Sequence, residues 1–367
     1  MTRQLLDATQ RRDWLRLSQT ENVGPATFRQ LIGRFGSAAA ALESLPELSL
    51  KGGLKRPLRI YSIEAAEADL DRANELGASF VAAGETGYPP LLHHIGGAPP
   101  LLCIKGTSAL ADMESVAIVG ARNASAGGRK FARQLAAELS EEGYLVTSGL
   151  ARGIDTAAHE ATPNGRTAAV IAGGIDNIYP PENAELQKLI SENGLLITEM
   201  LPGAVPRAEH FPRRNRIISG MSRAIIVVEA ALRSGSLITA RLAGEQGREV
   251  YAVPGSPLDP RAEGTNKLIR EGATLLTKAS DVIQSLQTQY VMTPKSFSEP
   301  DIVNDETAEA SHDERHNVLN LLSPSPIDLD DLIRESQLPT AMVLAILLEL
   351  EIAGRINRSA QHKVNLA

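Results

Sequence analysis

From Val116 onward, seven short apolar runs (VAIVG, YLVTSG, TAAVIAGG, LLITEM, AIIVVEA, EVYAVPG and TLLT) alternate with amphipathic helical segments, and this alternation leaves few folds open. A strand that is apolar along its whole length must be covered on both faces, so such strands separated by helices predict a parallel sheet wound with helices on either side. The expected class is α/β, a Rossmann-like, doubly wound and mainly parallel sheet over residues 86–290. Before it, residues 1–85 read as short helices broken at Gly24-Pro25 and Lys51-Gly52-Gly53. After it, residues 315–367 give three helical segments and a hairpin-like end, the outline of a winged helix.

The 367-residue chain carries a net charge of −7, which by itself argues against a phosphate-bearing partner. The distribution changes that reading. Glu299, Asp301, Asp305, Glu306, Glu309, Asp313 and Glu314 lie together with no Lys or Arg among them, so residues 291–314 read as an acidic, disordered linker and the remainder is neutral on average. Basic patches can then exist on the folded parts. The lone cysteine, Cys103, has no disulfide partner, the opening MTRQLLDATQRRDW lacks an apolar run, and no stretch is long enough for a membrane span. A cytosolic protein without a membrane span is expected.

In an open parallel sheet ligands bind beyond the carboxyl ends of the strands. The first strand ends in Gly120-Ala121-Arg122-Asn123-Ala124-Ser125, which is not the dinucleotide fingerprint, and no acidic residue stands at the tip of the second strand. Gly120 and Ser125 can put amides and a hydroxyl near a phosphate with Arg122 as a clamp; a tight turn with a solvated arginine fits equally. The second loop, Ser148-Gly149-Leu150-Ala151-Arg152-Gly153, joins small residues to an arginine. Asp155 and His159, four apart, read as a helix-start carboxylate hydrogen-bonded to a histidine rather than a metal pair.

The connection near Phe211-Pro212-Arg213-Arg214-Asn215-Arg216 carries the most information. Five arginines fall between Pro206 and Arg223 against one glutamate, and arginines at a helix start oppose its dipole unless an anion offsets them. Phe211 offers a face on which an unpaired base can stack; a core position is the alternative. Ser234-Gly235-Ser236 is either an anion cradle or a plain helix cap.

In order and spacing these motifs resemble the DNA-processing (DprA/Smf) family. The resemblance runs from Tyr88-Pro89 to about residue 283 and covers Val119-Gly120-Ala121-Arg122, Ser148 to Asp155 with Ala158-His159, Tyr179-Pro180, Phe211-Pro212-x-Arg214-Asn215-Arg216, Glu229-Ala230 with Ser234 to Ala240, and Val253-Pro254-Gly255. Ala121 stands where many members carry serine, and Pro181 where some carry a basic residue. The resemblance implies single-stranded DNA binding on the arginine-bearing rim, a homodimer, and loading of the RecA recombinase as a recombination mediator in natural transformation and competence.

Asn22 to Thr27 looks like the hairpin of a helix-hairpin-helix or sterile-alpha-motif-like domain. The helix over Thr340–Ala353 has no Lys or Arg and carries Glu349 and Glu351, which suits protein packing better than groove readout. One rival function is a Rossmann-like nucleoside-phosphate hydrolase using Glu229 and Arg122, although the glycine-rich pattern of those enzymes is missing. The other is a transcription regulator. No catalytic residue, metal site or cofactor is assigned.

Overall fold

The computed structural model describes residues 5–162, 165–291, 310–358 and 363–367, so most of the acidic segment expected as a linker lies outside the described residues. Four helices open the chain: α1 (Ala8–Gln19), α2 (Pro25–Phe35), α3 (Ala38–Lys51) and α4 (Ile63–Glu75). Local chemistry starts each of the first three. Asp7 and Gln10 cap α1 reciprocally, Pro25 fixes the first position of α2, and Ser37 accepts the Ala40 amide at α3.

The sheet follows. Its strands are β1 (Ala78–Ala82), β2 (Leu101–Gly106), β3 (Ser115–Val119), β4 (Leu145–Ser148), β5 (Thr167–Val170), β6 (Leu195–Thr198), β7 (Ala224–Val227), β8 (Glu249–Ala252) and β9 (Thr274–Leu275). The helices between them are α5 (Ala126–Glu141), α6 (Ile154–Glu160), α7 (Ala184–Asn193), α8 (His210–Met221), α9 (Gly235–Glu245) and α10 (Glu263–Arg270), and α11 (Ala279–Val291) closes the unit. Strand order is β1-β2-β6-β5-β4-β3-β7-β8-β9, parallel from β6 to β9. Alternate residues of one strand enter opposite cores: Val116 and Ile118 pack on one face with Val146 and Ile226, while Ala117 and Val119 pack on the other with Leu145 and Ile225. Each of the seven apolar runs contains a strand. Two strands differ from the sequence reading. β1 lies within the residues read as helical, and β2 pairs antiparallel with both β1 and β6.

The C-terminal module consists of α12 (His312–Asn320), β10 (Ile327–Asp328), α13 (Leu329–Ser336), α14 (Thr340–Ile352), β11 (Ile356–Arg358) and β12 (Lys363–Leu366), with the strands in the order β10-β12-β11. This is a winged helix. The chain divides into two compact units within α4, between Glu67 and Ala68: the sheet unit, and a second unit that joins the N-terminal helices to the winged helix. Among the described residues no helix is long and apolar enough to cross a membrane.

Candidate nucleic-acid interface

The chain winds from β3 outward to β6, then returns to β7 on the other side of β3. The topological switch point therefore lies between β3 and β7, where the loops beyond their carboxyl ends part to leave a crevice. A cavity of about 590 Å³ occupies it, lined by Gly120, Arg122, Phe211, Arg214, Arg233 and the Ser234–Ser236 start of α9 among others. Four loops expected to carry function thus converge here.

Four arginines line the crevice, and one of them, Arg261, is tied to Asp259 at 2.9 Å. Arg122 and Arg233 are exposed and have no carboxylate partner among the described residues. Arg214 is buried, its Nε lacks a hydrogen-bond partner, and its guanidinium lies so close to Gly149 that a side chain there would overlap it. Burial pulls Arg214 down to about 10, opposed by the charge of Asp155 and reinforced by that of Arg122. It remains cationic at neutral pH. Asp155 is the one acidic residue on the cavity wall; burial raises its pKa despite Arg214 and the amides of Ala151 and Gly149. With Arg261 paired to Asp259, one buried carboxylate facing the other three guanidinia leaves an excess of positive charge, an arrangement suited to phosphate.

The turn that holds Asp155 is strained. Leu150 adopts φ of 54°, and Gly153 adopts φ of 84° with no room for a Cβ beside the Ala121 carbonyl. Asn183, which drew no attention in the sequence, fastens this turn by donating to the Leu150 carbonyl at 2.9 Å. The expected Asp155–His159 hydrogen bond is absent. His159 Nδ1 meets Thr167 Oγ1 at 2.7 Å instead, and burial pushes its pKa down to about 3, so it stays neutral.

Phe211 sits half-buried on the first turn of α8, where the Arg122 guanidinium lies 5.5 Å from its ring centre. Tyr179, exposed on the loop after β5, meets the same ring at 5.5 Å and 57°. Tyr179 entered the sequence reading only as part of a motif. Its place beside Phe211 depends on a contact 32 residues away in the chain, which no local pattern encodes.

The remaining candidates separate. Ser125 Oγ caps α5 through the Gly128 amide and donates to Glu229 Oε1 at 2.5 Å, while the Ser125 amide donates to Glu229 Oε2 at 2.9 Å. The helix start where a Rossmann protein commonly seats phosphate is therefore filled by the chain's own carboxylate. This also gives Glu229 a structural partner in place of the acid/base role in the hydrolase reading. Ser148 Oγ donates to the Ile118 carbonyl and is buried. Arg216 pairs with Glu199 and the Gly97 carbonyl, and Arg213 lies 3.6 Å from Glu199, so both point to that carboxylate. Asn215 Nδ2 reaches the Gly235 carbonyl at 3.4 Å and links α8 to α9. Arg152 is exposed and lies 3.5 Å from Glu182 on the neighbouring loop. Ser234 Oγ and Ser236 Oγ lie 2.7 Å apart at the start of α9.

Fold and site together define a Rossmann-like protein that presents a cationic, aromatic-bearing crevice at its switch point, without a dinucleotide fingerprint. The chain belongs to the DNA recombination-mediator protein A family, which it matches over residues 79–287; residues 8–71 match a DprA-like N-terminal HHH domain and residues 304–361 a DprA winged helix domain. It is 38% identical to protein Smf of Escherichia coli over 302 residues, covering 80% of this chain and 78% of the relative. To the DNA processing protein DprA of Bacillus subtilis it is 42% identical, covering 61% and 76%. Among solved structures it is similar to DprA of Streptococcus pneumoniae at 36% identity and a TM-score of 0.62, covering 74% of this chain and 95% of the other. It is also similar to the DNA processing protein A of Helicobacter pylori, a structure described for its single-stranded DNA binding mode, at 28% identity and a TM-score of 0.54, covering 58% and 96%.

Proposed function

We propose that the crevice between β3 and β7 binds single-stranded DNA, with Arg122, Arg214 and Arg233 meeting phosphates and Phe211 stacking on a base. The observation that carries this reading is the excess of guanidinium charge beside a half-buried aromatic ring, a combination that serves an unpaired strand better than a duplex, whose bases are hidden. The similarity to the Helicobacter pylori protein supports the same ligand. With the family's description as a recombination mediator, the proposal extends to a cytoplasmic homodimer that protects incoming DNA and loads the RecA recombinase in natural transformation. It includes no catalytic step and no cofactor.

Titrating single-stranded and duplex oligonucleotides at several salt concentrations tests the ligand. Tighter binding of single strands is expected. Replacing Arg122 and Arg233 together with alanine should flatten the logarithmic salt slope by about 1.4, because each phosphate contact on a single strand contributes about 0.7. Equal affinity for both forms, or an unchanged slope, removes the crevice as the DNA site. Ser125→Ala provides a contrast. It removes the α5 cap and should lower stability by about 1 kcal/mol in a thermal melt while leaving DNA affinity unchanged, because its hydroxyl already serves Gly128 and Glu229.

A further inference from the structure

Helix α14 divides its side chains between two cores. Val343, Ile346, Leu347 and Leu350 pack inside the winged helix, whereas Leu348 and Ile352 pack with Leu17, Val23, Phe28 and Leu31 of the N-terminal helices. The two sets lie on different sides of the helix, while Ala341 near its start is exposed and Leu344 and Ala345 are half-buried. Its end is also held from outside: Asn22, in the left-handed conformation at φ 62°, donates its side-chain amide to the Ile352 carbonyl at 3.0 Å. A carbonyl that a helix C-terminus leaves without an internal partner is thus satisfied by a residue 330 positions earlier in the chain.

Gly52 shows how closely the surfaces fit. Its φ of −71° and ψ of −7° are open to any residue, so the turn does not require glycine. A Cβ there would overlap the Glu349 carbonyl and lie 2.8 Å from the Ala353 methyl. The missing side chain is explained by the seat of α14. Beside it, Arg358 donates to Gln30 at 3.0 Å and lies 3.8 Å from Glu351.

We propose that the N-terminal helical module carries a helix-docking groove, walled by α2 and α3 with Asn22 at one end, whose resident ligand is this chain's own α14. The partner chemistry is defined by the resident: an apolar helix with Leu348 and Ile352 one turn apart, the Ile352 carbonyl accepting from Asn22, followed by a small Ala353-Gly354 tip. Another protein that presents such a helix competes for the groove and displaces the winged helix. The groove belongs to the second unit and stands independently of the crevice.

The two-core division allows a clean test. Leu348→Asp/Ile352→Asp removes the anchors that enter the groove but spares the side chains of the winged-helix core, so the resident helix should leave while both modules stay folded. A fluorescent peptide of residues 340–358 is then titrated against the full-length chain. The double variant should bind it about tenfold or more tightly than the native protein, because the groove is vacant, and adding Gly52→Leu should abolish that gain. Equal binding by native and double-variant proteins overturns the proposal, as does a gain that survives Gly52→Leu. Asn22→Ala loosens the seat without placing a charge in either core and serves as a second opening variant. Hydrogen exchange of the native chain is expected to protect α2, α3 and α14 together; rapid exchange of α14 alone would also overturn it.

Discussion

Replacing Arg214 with alanine is expected to weaken folding and DNA binding together, and the loss of stability is on the order of 3 kcal/mol, the scale of a buried charge deprived of its partner. The buried guanidinium fills the space over Gly149 and supplies the charge that opposes the desolvation of Asp155. Without it Asp155 keeps the amides of Gly149 and Ala151 but has no nearby cation of comparable burial. The pH dependence follows from the direction of the Asp155 shift. A carboxyl whose folded-state pKa is raised costs stability once ionised, so stability is greatest below the ordinary carboxylate range and falls as pH rises through the raised value. Removing Arg214 raises that pKa further. The deficit of the variant should therefore be largest near neutral pH and shrink on acidification, as measured by denaturant unfolding at several pH values. Asp155→Asn in the same background should recover much of the neutral-pH loss without restoring DNA affinity. A deficit independent of pH would mean that lost packing, not charge, sets the cost.

The fate of these arginines shows where sequence reasoning stops. Arg213, Arg214 and Arg216 stand almost side by side, and their composition announces an anion site. What each one does is decided by residues far along the chain. Glu199 takes Arg216 into an ion pair and draws Arg213, Asp155 faces Arg214, and Glu114 takes Arg223 at 2.9 Å. The parallel sheet brings Glu199 and Asp155 to the rim beyond its carboxyl ends, while Glu114 and Arg223 meet at the opposite edge, ahead of β3 and β7. The sheet itself was legible because each run such as Val116–Val119 is buried on both sides and must be apolar throughout. β1 was not, because ASFVA follows directly on a helical pattern and a five-residue apolar run fits either structure. α14 lies between these cases. Its leucine-rich, acid-bearing sequence without Lys or Arg signalled protein packing, yet nothing local could name Gly52 and Asn22 as its seat.

The two readings of Phe211 separate most sharply in a single substitution, Phe211→Leu, studied beside Tyr179→Leu. Leucine keeps apolar bulk at the half-buried position but removes the face that a base would stack on. If the ring stacks, affinity for single strands should fall by about 1 to 3 kcal/mol, while affinity for duplex changes little. The structure adds a stability cost to the expectation from sequence, because the ring also meets Tyr179 and the Arg122 guanidinium. Contacts of these kinds contribute roughly 0.5 to 1.5 kcal/mol each, so the melting temperature should drop modestly. Tyr179→Leu loses the ring pair but leaves the face of Phe211 in place, and should reproduce part of that drop with most of the DNA affinity retained. Affinity and stability then move apart between the two variants: the affinity loss belongs to Phe211 alone, and the stability loss is shared. If instead Phe211→Leu lowers the melting temperature and leaves single-strand affinity intact, the ring is a packing element, and the arginines of the crevice bind the strand through its phosphates without a stacked base.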